Sequence, residues 1–105
     1  MNINPRYVIY HDLIGFKAYA KLVSAPERSE FVNIGKVIDE TSNMLITKKN
    51  IEIKKYIKKD HVFRFKMPSK RQDQEDVYLE VLGTKIEGRP ENRLRNLRKR
   101  RLLRR

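Results

Sequence analysis

A chain of 105 residues can build one domain with a modest core and is too short for two. Its hydrophobic share of 39% stands against 36% charged residues, and 25 Lys+Arg over 13 Asp+Glu leave a formal net charge of +12. The absence of cysteine excludes disulfides, thiolate nucleophiles and cysteine-based zinc sites, and no apolar run reaches the length of a membrane span or a signal-peptide core.

The first segment, residues 1–15, reads as a short helix. Asn4 can cap it, Pro5 suits its first position, and Gly15 falls where a left-handed stop is wanted. Tyr7, Val8, Tyr10, Leu13 and Ile14 are too many apolar groups for a segment facing only solvent, so they should cover the core or a partner protein. Phe16–Val23 alternates as a half-buried strand, with Phe16, Ala18, Ala20 and Leu22 on the inner face. After a connector, Phe31–Asp39 resumes β character. Val32, Ile34 and Ile38 share a face there, and Gly35 marks a bend, a bulge or a close backbone approach.

The knot Asp39-Glu40-Thr41-Ser42-Asn43 lies between two aliphatic runs and reads as a hairpin turn. Met44–Thr47 is then a third strand and Ile51–Ile57 a fourth, with Ile51, Ile53 and Ile57 facing in and Glu52, Lys54 and Lys58 wet. His61–Met67 and Val77–Leu82 complete the series, with Val77, Leu79 and Val81 inward in the last. They are separated by a charged loop, 69–76, that holds no core residue and is expected to be mobile. Pro90 and Glu91 suit the start of a second helix, and the run from Arg100 to Arg105 ends the chain as a basic tail. Six short strands without a helix-length segment between them predict an all-β fold, an antiparallel barrel or sandwich with short N-terminal and C-terminal helices. A small closed barrel is favoured, because so short a sheet hardly stretches to two packed layers. Residues 1–97 form its one domain, and 98–105 an appendage expected to be disordered until it meets an anion.

Little in this pattern suits catalysis. Asp39 and Glu40 are the one tempting carboxylate pair, yet neighbours on a strand point to opposite faces and do not converge on one metal or water. His11 and His61 stand apart, so no metal site and no bound cofactor are expected, nor is there a glycine-rich phosphate loop. The charge is more informative. Residues 89–105 contain nine basic residues and one acid, Glu91, a net of +8, which leaves +4 for residues 1–88. Lys48, Lys49, Lys54, Lys55, Lys58 and Lys59 cluster within the fourth-strand region. Such density binds polyanions by releasing counterions, and nucleic acid is the commonest. An anionic membrane is the rival, but Leu94, Leu97, Leu102 and Leu103 with no tail Trp or Phe make a weak anchor, so no membrane partner is expected. Candidate RNA contacts are Lys48, Lys49, Lys54, Lys58, Arg89, Arg93, Arg95, Arg98 and Lys99. They favour backbone and shape recognition over base reading.

Four motifs occur in the order and spacing of one known family: Leu13-Ile14-Gly15, Gly35 to Ile46 with its Glu40-Thr41-Ser42-Asn43 turn, Val62-Phe63-Arg64-Phe65, and Gly88-Arg89-Pro90-Glu91-Asn92-Arg93-Leu94. The chain resembles the archaeal ribonuclease P protein component 1 family, counterpart of a subunit of eukaryotic ribonuclease P and MRP ribonuclease, from about Tyr7 to Leu97. The resemblance implies a small, strongly bent, Sm-like antiparallel barrel flanked by N-terminal and C-terminal helices, in which Gly35, Glu40, Thr41, Asn43, Gly88 and Pro90 are structural. It also implies a cytoplasmic, non-catalytic RNA-binding subunit. In this family the catalytic centre, with its magnesium, belongs to the ribonuclease P RNA, which removes 5′ leaders from precursor tRNA. The protein pairs with a zinc-ribbon subunit and stabilises the specificity region of the RNA. The surplus apolar residues Tyr10, Leu13 and Ile14 are then the expected partner face. A ribosomal or Sm-like RNA chaperone with the same small barrel is the alternative. Val32 stands where the family often has a second glycine, which predicts a milder bend, and no family role extends to the tail beyond Leu97.

Overall fold

The computed structural model describes residues 13–67 and 77–89. Six strands cross it: β1 (Lys17–Leu22), β2 (Val32–Glu40), β3 (Met44–Lys49), β4 (Glu52–Ile57), β5 (His61–Lys66) and β6 (Tyr78–Leu82). They form one sheet in the order β4-β3-β2-β1-β5-β6, with every pairing antiparallel. Each expected strand is present to within two residues at either end. The helix expected over 1–15 falls outside the described residues, except that Leu13–Gly15 ends in a turn and Gly15 has the anticipated positive φ of 98°. The 69–76 loop and the C-terminal helix also lie outside them.

Among the described residues the core lies on one face of the sheet, with Ala18, Ala20, Ile34, Val37, Leu45, Phe63, Phe65 and Val81 from the strands joined by Leu13, Met67 and Ile86 from the flanking segments. The sheet curls over that face, which helps to keep it dry. Small beside large lets it do so. Ala18 and Ala20 on β1 lie opposite Phe65 and Phe63 on β5, whose rings stack at 6.0 Å.

The curl is concentrated in β2. Its pairing with β1 skips Ile34, and its pairing with β3 skips Ile38. Each skip is a bulge, which bends the strand and strengthens its twist. As a result β2 buries Ile34, Val37 and Glu40, every third residue instead of every second. Gly35 makes the tight curvature possible. Its φ is +90°, and a Cβ there would lie 2.2 Å from the Lys48 carbonyl oxygen of β3. The bend survives without a second glycine at Val32.

Several inward assignments do not hold, for identifiable reasons. Ile38 is 38% exposed because it is the residue skipped in the pairing with β3, and Val32, though opposite the buried Ala20, is 62% exposed at the first position of β2. Ile53 and Ile57 face solvent because β4 pairs them with Lys48 and Met44 on the outer face, which leaves Lys54 and Tyr56 opposite the buried Thr47 and Leu45. Ile51, 92% exposed, lies in the β3–β4 turn. Leu22 and Val77 are exposed at strand ends. The two edge strands nevertheless meet at their C-terminal ends, where Lys58–Asp60 and Gly83–Ile86 form 3₁₀ turns. A Cβ on Gly83 would stand 1.5 Å from the Lys58 carbonyl oxygen, so only glycine admits this approach.

Candidate nucleic-acid interface

The bulge at Ile38 has a chemical consequence. In an unbroken strand Glu40 would share the outer face with Lys36 and Ile38, but the skipped residue turns its side chain inward. There its Oε2 accepts a 2.8 Å hydrogen bond from Lys58 Nζ, and both side chains are essentially inaccessible, at 1% and 0% exposure. Lys58 Nζ also donates to the carbonyls of Thr41 (2.7 Å) and Gly88 (3.0 Å), with Ser42 O at 3.4 Å. Two backbone bonds tighten the same knot, Lys58 N–H to Asn43 O and Gly88 N–H to Ser42 O, each 2.8 Å. The Thr41 hydroxyl accepts from the Met44 amide at 3.0 Å and closes the β2–β3 turn. Asp39, on the outer face, accepts from the Glu40 amide. The two carboxylates therefore diverge, as strand geometry predicted.

A buried ammonium is tolerated only when its hydrogen-bonding capacity is met and its charge countered, and here a carboxylate and three carbonyls do both. The lysine ties three stretches distant in sequence: the β2–β3 turn, the end of β4, and Gly88 at the exit toward the arginine-rich segment. Lys58 accordingly has no surface to offer RNA, and its assignment as a wet, RNA-facing lysine is corrected. Leu13 is corrected in the same way: it is fully buried in the core and presents nothing to a partner, whereas its neighbour Ile14 is 48% exposed.

The outer face is different. Register places Lys17 of β1 directly opposite Lys36 of β2, and Lys36 directly opposite Lys48 of β3. All three are exposed, and their inward neighbours Ala18, Val37 and Thr47 are buried, so the lysines stand in one line across the strands. None forms an ion pair among the described residues. Lys49 is exposed opposite Glu52, and Lys54 lies 3.5 Å from Glu52 in an exposed pair worth little. Arg89 is exposed just past the knot. Tyr10, Pro90, Arg93, Arg95, Arg98 and Lys99 lie outside the described residues.

Further along β1, Tyr19, Phe31 and Tyr78 line an open depression of about 470 Å³ with Lys21 and Arg64. Its cations are already engaged. Arg64 sits 3.9 Å over the Phe31 ring and 3.0 Å from Glu80, while Lys21 lies over the same ring at 5.0 Å. With Glu27 and Glu30 also on its rim, this region is less cationic than the lysine line. Sequence reading singled out Lys48 of that line and missed Lys17 and Lys36. The signal was available only as pairing register, since the three are far apart in the chain.

A family model for ribonuclease P/MRP, subunit p29, matches residues 6–96. The chain is 38% identical over 101 residues to ribonuclease P protein component 1 of Methanococcoides burtonii, covering 94% of this chain and 96% of that one. It is 34% identical over 98 residues to the protein of the same name from Staphylothermus marinus, covering 92% and 98%. A solved structure of Mth11, a homologue of the human RNase P protein Rpp29, aligns over 78% of this chain and 96% of that one, at 26% identity and a TM-score of 0.48.

Proposed function

The chain belongs to the ribonuclease P/MRP subunit p29 family, and from that premise we propose that it is a non-catalytic RNA-binding subunit of ribonuclease P. Its work is to bind the ribonuclease P RNA, stabilise the specificity region and so assist 5′-leader removal from precursor tRNA. The observation that carries the RNA-binding part is the separation of its cations: one lysine is consumed inside the fold, while a line of others stands exposed and without an acid partner among the described residues. Family membership favours this reading over a ribosomal or Sm-like chaperone. Magnesium then acts at the RNA subunit, and this chain contributes cationic surface, not a catalytic group. A zinc-ribbon subunit is the proposed protein partner, met through the N-terminal segment, of which Ile14 is the described, half-exposed edge. Work on precursor tRNA suits a cytoplasmic complex. Among the described residues no helix is long and apolar enough to cross a membrane.

Cleavage of precursor tRNA tests the reading. The protein alone should leave the substrate intact, and adding it to ribonuclease P RNA should permit processing at lower magnesium. Cleavage by the protein alone, or no gain on reconstitution, would sink it. Deleting residues 98–105 removes five arginines, so the dependence of RNA affinity on salt should flatten. An unchanged slope would assign the tail to solvent or protein.

A further inference from the structure

Like charges placed directly opposite on neighbouring strands repel and cost stability. In this sheet the arrangement occurs twice in succession, Lys17 opposite Lys36 and Lys36 opposite Lys48. The bulge at Ile34 contributes to this register, because pairing shifts by one residue between Ala18 and Tyr19 and leaves Lys36 against Lys17. Strands lie about 4.8 Å apart, so three ammonium groups rise from a line whose backbone anchors span about 10 Å. On β4 the line ends at Ile53, which faces Lys48. On β5 the next position is Lys66, one residue past the Phe65–Ala18 pair, where the side chain is half-buried. The nearest acid on the outer face of β2 is Asp39, whose carboxylate accepts from the Glu40 amide.

We propose that Lys17, Lys36 and Lys48 form a phosphate-binding track, along which one strand of the RNA backbone crosses β1, β2 and β3 transverse to the strands. The inference rests on the RNA-binding reading above and adds to it where and in which direction the backbone runs. A polyphosphate chain relieves the repulsion between the three amines by interposing negative charge, which an isolated anion does less well. Lysine suits this role as a point charge on a flexible stem, able to follow a backbone without reading bases. The track contrasts with the lysines of β4 and the following turn, Lys54, Lys55 and Lys59. These are also exposed but scatter along an edge strand, with Lys54 already beside Glu52.

Two triple variants of equal charge separate the possibilities: Lys17→Gln/Lys36→Gln/Lys48→Gln on the track, and Lys55→Gln/Lys59→Gln/Lys85→Gln, all three exposed, off it. Binding to ribonuclease P RNA is measured by titration at several salt concentrations, and thermal unfolding is followed alongside. The track variant should flatten the slope of log K against log salt by about 2 to 3, close to one per lost phosphate contact. The off-track variant should change it by less than about 1, and the track variant's Tm should be unchanged or higher because repulsion is relieved. Equal slope changes in both variants would mean that only bulk charge matters, and the track would be overturned. So would a wild-type slope in the track variant; if that variant instead loses capture of its protein subunits, the occupant is an acidic protein surface. A lower Tm for the track variant would assign the lysines a structural role and also overturn the proposal. Failure of the wild-type chain to bind the RNA would bring down the ribonuclease P reading itself, and the track with it.

Discussion

Lys48 and Lys58 belong to one lysine-rich stretch, yet they have opposite fates. Lys48 stands on the outer face of β3 opposite another lysine, exposed and without an ion pair among the described residues. Lys58 lies at the end of β4, fully buried, with its ammonium shared among one carboxylate and three carbonyls. Composition treats the two alike. What separates them is where the chain folds back: Gly83 admits the turn after β6 onto the Lys58 backbone, and the Ile38 bulge brings Glu40 inward to meet the Lys58 ammonium. A basic protein therefore contains two kinds of cation, one spent holding the fold and one left for a partner. Charge-counting cannot assign any single lysine to either kind.

The largest expected effect breaks the buried side of this comparison. Lys58→Met leaves the Glu40 carboxylate buried and removes the donor from three carbonyls, so it should cost about 3–5 kcal/mol, the usual range for orphaning one member of a buried pair. For a domain of this size that corresponds to a fall in Tm of more than about 10 °C, read by thermal unfolding. Glu40→Gln should cost less, about 1–3 kcal/mol, because Lys58 retains its carbonyl acceptors. Combining the two should cost less than their sum, since the buried carboxylate is gone as well. If Lys58→Met unfolds no more readily than the wild type, the amine is reaching water and the knot is not a structural clamp.

Leu13 sharpens the same division on the apolar side. It is fully buried whereas Ile14 beside it is half exposed, so the expected partner face divides between core and surface. Leu13→Ala should cost about 2–5 kcal/mol in chemical denaturation. Ile14→Asp should cost much less and yet weaken capture of a zinc-ribbon subunit in a pull-down. Full capture by Ile14→Asp would move the partner contact elsewhere.

Gly83→Ala probes the closure of the barrel. The new methyl meets the Lys58 carbonyl, a backbone atom that cannot swing aside, so the expected cost is about 1–3 kcal/mol or more. Amide hydrogen exchange should speed up at Lys58 and Gly88, whose amides bond to the β2–β3 turn, before it does so at the β1–β5 pairing. Uniform acceleration across the sheet would show that the contact supports the whole domain and not the knot.

The strands were legible because their alternation is local: Ala18 and Ala20, Phe63 and Phe65, and Leu79 and Val81 each announce a face within a few residues. The hairpin at Thr41 was legible too, since Thr and Asn carry their own turn chemistry. The inner face of β2 was not, because a bulge leaves no mark in a hydrophobic pattern and two bulges turn a period of two into a period of three. The register of β4 was equally hidden: it sets Ile53 opposite the outer-face Lys48 and leaves Ile51 in the turn, and that is why both read as core. The knot escaped for a different reason. Glu40, Lys58 and Gly88 lie on three separate stretches, and two of them had been noticed only as family signatures. The fold shows those signatures meeting at one lysine ammonium.

The smallest expected effect falls on the exposed side. Lys36 is the middle lysine of its line, repelled from both β1 and β3, so Lys36→Gln removes two unfavourable pairs at once. Each such pair is worth a few tenths of a kcal/mol, and the variant should gain at most about 1 kcal/mol in stability. Lys17→Gln and Lys48→Gln each remove one pair and should gain about half as much. The gain should shrink as salt rises, because exposed charges this close to water are screened with a Debye length of about 8 Å at physiological ionic strength. Thermal unfolding of the three single variants at low and high salt reads this ordering directly. A gain at Lys36 that exceeds the other two at low salt and vanishes at high salt would establish that the three amines sense one another across the strands. Equal responses at all three positions would show that the side chains splay apart. In that case the register aligns their backbones without bringing their charges together.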